Sequence, residues 1–258
     1  MHQTHTSSTK ASLARSQVRL LALLYKFRFI TTDIAAAVLH KDRSTLYERF
    51  ALLVSRGYVL KRYDSSYRLA QKAVRYSLST KGIAYLRKHT TAEEGSLRRH
   101  YGNKTADEAL VDSHIQNAER YLLLAQSLPD HDMFTNYELT TEGVIRPFPH
   151  LYAQPRQPSG NYYYLDYVQP FTPTWLLRKR LVQHQDAEDD VDHIYPHVLL
   201  VAGNDSTERR LLSLTESSLQ DFRWYITTSE QLHEHPAGPI WIDGDESTTD
   251  DVQRVSLA

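Results

Sequence analysis

The chain has no cysteine, two methionines and nine glycines among its 258 residues. Without thiols it can build neither a disulfide framework nor a thiolate zinc site, a composition that suits a reducing cytoplasm. No stretch approaches the ~18 continuous apolar residues that span a bilayer, so no membrane partner is expected. The opening MHQTHTSSTKASLARSQ has no apolar centre and does not read as a signal peptide. Residues 1–11 read as a disordered leader. Neither a glycine-rich phosphate loop nor a nucleophile motif is present, and no catalytic residue, metal ligand or cofactor is assigned.

What is present is globular, with 41% hydrophobic and 24% charged residues. A net charge of −1 conceals a division. Residues 1–105 carry 20 Lys+Arg against 6 Asp+Glu, a net of +14, whereas residues 106–258 carry 10 against 25, a net of −15. Such asymmetry marks a polyanion-binding module joined to a segment of another kind. The length suits two modest domains of ~100–150 residues.

In the basic half, apolar spacing predicts a first helix over Ser12–Phe27 and a second over Asp33–Leu39, capped by Thr31-Thr32-Asp33. A third helix, capped by Ser44 or Asp42, ends near Arg56, with Leu46, Phe50, Leu53 and Val54 at helical spacing and Gly57 as its stop. Beyond Gly57 the period becomes two. YVLKRY (58–63) reads as a strand, DSS as its turn, and YRL or RYSLS (75–79) as the returning strand, before a helix from Thr80. This order is a helix-turn-helix followed by a wing. Its second helix braces the third, whose N-terminal turn enters a major groove while the hairpin follows phosphates.

The run FITTDIAAAVLHKDRSTLYERFALLVSRGYVLKR, with the later YSLSTKG, resembles bacterial winged-helix DNA-binding domains over residues 15–90. Arg43, Ser44, Thr45, Tyr47 and Arg49 are the expected contacts on the third helix, the cations reaching guanine edges or phosphates. On the hairpin the candidates are Lys61, Arg62, Arg68, Lys72 and Arg75, interleaved with Tyr63, Tyr67 and Tyr76. The alternatives are a solvated polar helix face, with Ser44 as a cap, and ordinary strand chemistry.

Residues 90–106 read as a polar linker, and Asp107–Leu128 as a bridging helix on which His114 is a partly buried polar residue. Strands follow at 133–140, 144–154 and 161–169, a helix at Trp175–His184, a strand at 195–203, a helix at 206–220 and a strand at 222–232. That order predicts an α/β domain with a mixed sheet. It resembles the PD-(D/E)XK nuclease core, and the whole chain resembles the replication-relaxation family of plasmid and mobile-element proteins. The family's acidic motifs would fall at Pro149-His150-Leu151 (or Arg146-Pro147-Phe148) and at Leu165-Asp166-Tyr167-Val168-Gln169. Only Asp166 is acidic there, and one carboxylate cannot assemble a Mg²⁺ site. A degenerate, non-catalytic core is expected.

Two weaker patterns remain. QDAEDDVDH (185–193) reads as a solvated acidic loop, since it lacks calcium-loop phasing. His184, His193 and His197 fall on a helix end, a loop and a strand start, a poor zinc pattern. The expected organisation is α+β: leader 1–11, winged helix 12–90, linker and bridging helix 91–130, nuclease-like domain 131–235 and an acidic tail 236–258, of which 243–258 reads as a disordered segment that masks the basic half. The function implied is a cytoplasmic double-stranded-DNA-binding protein in transcription or replication control, binding as a homodimer or with replication or conjugation proteins. Alternatives are a metal-dependent nuclease targeted by the winged helix and a protein-binding winged helix.

Overall fold

A computed structural model describes residues 13–139, 150–189, 195–216, 223–244, 247 and 251–257. The chain is α+β, with helices gathered in the N-terminal part and a mixed sheet in the C-terminal part. The leader 1–11 lies outside the described residues.

The N-terminal part runs α1 (Arg15–Phe27), β1 (Ile30–Thr31), α2 (Thr32–Leu39), α3 (Arg43–Ser55), β2 (Val59–Arg62), α4 (Ser65–Leu69), β3 (Arg75–Leu78) and α5 (Thr80–His89). Thr31 Oγ1 accepts the Ile34 amide at 3.2 Å, so the hydroxyl cap anticipated for the second helix forms. Asp42 occupies the N-cap of α3 without a side-chain cap bond. Gly57 ends that helix at φ 75°, a left-handed conformation in which any side chain is strained. At Gly82 a Cβ would stand 2.3 Å from the Tyr58 carbonyl oxygen, so only glycine lets α5 seat against the entry to β2.

The small sheet has the order β1-β3-β2, all antiparallel. β3 is therefore central, and all four of its residues are buried. Phe50 of α3 stacks on Tyr76 of β3 with ring centroids 4.2 Å apart, tying the third helix to the sheet.

Three expectations for this half need correction. YRL (67–69) belongs to α4, because Asp64 caps the Ser66 and Tyr67 amides and starts a helical turn where a simple hairpin bend was expected. Residues 90–106 are not a linker. They form α6 (Glu94–Arg99) and a 3₁₀ turn (His100–Thr105) that bury Ser96, Leu97, His100 and Asn103. Nor does the following helix, α7 (Glu108–Ser127), merely bridge. Its Val111, Ile115 and Ala118 enter the first core, and Leu124 enters the second.

The large sheet has the order β10-β9-β8-β7-β6-β5-β4. Its strands are β4 (His131–Thr135), β5 (Leu151–Pro155), β6 (Tyr163–Val168), β7 (His197–Ala202), β8 (Trp224–Thr228), β9 (Trp241–Asp243) and β10 (Arg254–Val255). β6, β7 and β8 run parallel, and every other neighbouring pair is antiparallel. The parallel crossovers carry α8 (Thr174–Asp189) and α9 (Asp205–Glu216), while α10 (Ser229–Glu234) follows β8. Residues 144–149 of the expected second strand, 190–193 of the acidic run and 217–220 of the expected helix lie outside the described residues.

Two further expectations change in this half. Residues 185–189 of the acidic run continue α8 rather than forming a loop. Among its described residues the segment 243–258 is tied down, because Arg254 of β10 pairs with Glu208 of α9 at 3.0 Å and β10 lines up on β9, whose Trp241 and Ile242 are buried. The two halves also interlock. Tyr25 Oη donates to the Tyr137 carbonyl at 2.9 Å, Thr135 Oγ1 donates to the Lys26 carbonyl at 2.7 Å, and Lys26 pairs with Glu138 at 3.2 Å. No helix among the described residues is long and apolar enough to cross a membrane.

Candidate nucleic-acid interface and the Asp166 cluster

α3 touches the core through one stripe, Leu46, Phe50 and Leu53, at i, i+4 and i+7. The rest of its circumference faces outward. Arg43, Ser44, Tyr47 and Glu48 are exposed, with Thr45 and Arg49 half-buried at the edges. Arg43 Nε pairs with Asp33 of α2 at 2.9 Å, but both side chains stay mostly in solvent, where such a pair contributes little and exchanges readily. All five expected α3 positions thus lie on the outward side of one helix.

The hairpin candidates divide. Lys61 and Arg68 are exposed and, among the described residues, make no ion pair. Arg62, Lys72 and Arg75 instead face the first turns of α7, which engage them. Arg62 Nη1 lies 2.8 Å from Glu108 Oε1 and its Nη2 donates to the Ala106 carbonyl at 2.7 Å. Arg75 Nη1 reaches Glu108 Oε2 at 3.0 Å while Nη2 bonds Asp112. Lys72 joins Asp112 at 3.2 Å, and Tyr67 Oη donates to Glu108 at 2.8 Å. Burial pushes the Glu108 carboxyl up, but hydrogen bonds from Arg62 and Tyr67 and the nearby guanidinium charges outweigh it and hold the group below its ordinary value. Tyr76 is buried under Phe50 and Tyr67 is buried over this network, so of the hairpin tyrosines Tyr63 is the exposed one.

In the second half the lone strand acid has company that sequence reasoning missed. Along β6 the side chains alternate, which puts Tyr164, Asp166 and Val168 on the face that α8 covers. Arg180 and His184, one turn apart on α8, close over Asp166. Arg180 Nε donates to Oδ2 at 2.6 Å and Nη2 to Oδ1 at 3.0 Å, a forked pair. His184 Nε2 stands 3.1 Å from Oδ2 and its Nδ1 stands 2.8 Å from Tyr195 Oη, so the tautomer protonated on Nε2 satisfies both. His150 Nδ1 lies 3.3 Å from Oδ1 and 3.2 Å from the Tyr167 amide. A proton on Nδ1 serves the carboxylate, and its absence serves the amide.

Burial pushes the Asp166 carboxyl up, but hydrogen bonds from His150, His184 and Arg180 win and hold it well below the usual carboxylate range. Asp166 is therefore an ionised, fully coordinated counter-ion rather than an acid among apolar neighbours. Both of its oxygens accept hydrogen bonds from the Arg180 guanidinium. The sequence signal was an acid in a buried strand followed by Arg-x3-His on the next helix. Beside the cluster lies a cleft of about 520 Å³, whose polar walls include Gln169, Thr172, Lys179 and Gln183.

Two of the three histidines considered as zinc ligands fall among the described residues. His184 is engaged as described, His197 packs by its ring on Tyr163 and Tyr225, and His193 lies outside the described residues. No group of three or more His, Cys, Asp or Glu among the described residues is placed to hold a metal. His114 is half-buried, with ring contacts to Phe29 and Tyr137. Comparison of the chain with protein-family models, with curated proteins and with solved structures finds no match.

Proposed function

We propose that the protein binds double-stranded DNA by laying α3 in the major groove, and that it acts in transcription or replication control, including that of a plasmid or other mobile element. One observation carries the reading. α3 is held by a single buried stripe and turns Arg43, Ser44, Thr45, Tyr47 and Arg49 outward, in a half whose charge is +14. The order of helices and the antiparallel β1-β3-β2 sheet fit a winged helix. Lys61 and Arg68 are then the hairpin cations free for phosphates, whereas Arg62, Lys72 and Arg75 position the hairpin on α7.

We read the second half as a nuclease-like core that has lost its chemistry. In support, β4, β5 and β6 form an antiparallel meander, and a helical crossover leads to parallel β7. At the place of the acidic motif, Asp166 is neutralised by Arg180.

Selection of bound duplexes from a random pool, with and without Mg²⁺, tests the proposal. A sequence motif should emerge in both conditions without cleavage. An Arg43→Ala/Arg49→Ala double variant should lose about 2–5 kcal/mol of affinity for the selected site. Absence of salt-dependent duplex binding by the wild type would defeat the reading.

A further inference from the structure

The acidic half holds one concentrated group of cations, Arg178-Lys179-Arg180, on α8. This helix is anchored by Leu177, Leu181, His184 and Ala187, while Trp175, Leu176, Arg178, Lys179, Val182 and Gln183 are exposed. Trp175 is 67% exposed in its first turn, and Phe171, just ahead of it, is 94% exposed. The other two tryptophans, Trp224 and Trp241, are 2% and 0% exposed within the sheet core. A large ring left in water at such a level marks a surface that meets something.

Its chemistry narrows what that is. Arg178 and Lys179 fall between Trp175 and Val182, so two adjacent cations interrupt the exposed apolar surface there. Protein–protein interfaces favour rings and arginine but are depleted of lysine, so it is the exposed Lys179 on the cleft wall that points away from a protein partner. Exposed rings beside cations are the elements of single-strand recognition, in which rings stack on base faces and cations meet phosphates. A duplex hides its base faces and offers such rings nothing to stack on. In the cleft beside the helix, Gln169 and Thr172, which precede α8, and Gln183, on it, supply amide and hydroxyl groups able to bond base edges. At about 520 Å³ the cleft has the size of a small-ligand site.

We propose that the α8 face and its cleft bind an unpaired nucleic-acid strand, with bases stacked on Phe171 and Trp175, phosphates on Arg178 and Lys179, and one base in the cleft beside Gln169. The inference extends the DNA-binding reading but stands on separate residues. A protein that holds a duplex on α3 and an opened strand on α8 would suit a site where DNA is unwound.

The test is a fluorescence titration of the full chain with oligo(dT) of about twelve nucleotides, alongside duplex binding followed by anisotropy. Because Trp175 is the exposed tryptophan, stacking should quench the emission of the protein in a saturable way. Trp175→Ala and Phe171→Ala should each weaken oligo(dT) binding about tenfold or more and leave duplex affinity unchanged. Arg178→Ala/Lys179→Ala should weaken it and flatten its salt dependence. All four side chains are exposed, so folding should survive.

The inference is overturned if oligo(dT) does not bind, or binds these variants as well as the wild type. It is overturned equally if Arg43→Ala/Arg49→Ala abolishes oligo(dT) binding while Trp175→Ala is neutral, since the strand would then sit on α3. Self-association of the wild type that Trp175→Ala removes, without oligo(dT) binding, would assign the face to a second copy instead. Failure of duplex binding with oligo(dT) binding intact would defeat the α3 reading and leave this one standing.

Discussion

Arg75 Nη1 sits 3.0 Å from Glu108 Oε2, and the other end of the same guanidinium bonds Asp112 one turn further along α7. A cation on a strand expected to follow DNA is thereby the internal fastening of that strand to the rest of the fold. Arg75→Ala should lower unfolding stability in urea by about 1–3 kcal/mol, below the full cost of breaking a buried pair because both acids are partly solvated. Duplex affinity measured well below the unfolding midpoint should hardly change. A large loss of affinity at undiminished stability would return Arg75 to the DNA surface.

The hairpin cations should separate by their partners. Lys61→Ala and Arg68→Ala, which remove unpaired charges, should each reduce the slope of log affinity against log salt by about one phosphate. Arg62→Ala should leave that slope unchanged, since Glu108 and the Ala106 carbonyl hold the guanidinium. Equal slopes for all three variants would show that α7 releases the hairpin when DNA binds.

Asp166 should be structural. Asp166→Ala strands the Arg180 charge and should cost about 3–5 kcal/mol, part of which a second change, Arg180→Met, should restore. The Asp166 pKa is depressed on folding, so its contribution is present above the ordinary carboxylate range and disappears as pH falls through and below that range. Acid unfolding followed by circular dichroism should therefore be less steep in the double variant. Mg²⁺-dependent cleavage abolished by Asp166→Asn would contradict this account.

A pH response nearer neutrality should come from His100 and His114, whose rings flank Tyr137 at 5.1 and 5.8 Å where the two halves meet. Desolvation, with the Arg28 charge, pushes His100 down to about 3 and His114 down to about 4. Both are neutral in the fold but take up protons when unfolded, below the ordinary value of about 6.5. Stability should therefore fall as pH drops from 7 to 5, by up to about 2 kcal/mol for each imidazole. In His114→Gln the slope of stability against pH over that range should shrink. An unchanged slope would show that His114 gains its proton inside the fold.

The C-terminal residues should be integral. Trp241→Ala should cost about 3–5 kcal/mol, because the ring is fully enclosed beneath β9. Removing residues 243–258, expected from composition to unmask the basic half and tighten DNA binding, should instead destabilise the large sheet by taking away β10 and the Arg254–Glu208 pair. A truncated chain of undiminished stability that binds duplex more tightly would restore the masking role.

Local rules reached far into this chain. The change of period from 3.6 to 2 after Gly57, the Thr31 cap and the stripe of Leu46, Phe50 and Leu53 are legible because neighbours in sequence create them. The α3 face follows from the same periodicity. What the order of strands in space decides is not legible in that way. Arg75 is buried because β3, last in sequence, lies between β1 and β2, and a cation in a central strand must find a partner. Asp166 looked isolated because Arg180 and His184 reach it only after the crossover folds α8 back over β6. The acidic segment 243–258 looked disordered because composition cannot register that Arg254 and Val255 add an edge strand to β9, which itself pairs with β8. Residue type and period determine which faces are apolar and which are charged. Which charges remain for a ligand is set by tertiary packing, since a buried charge must be matched by whatever the fold brings beside it.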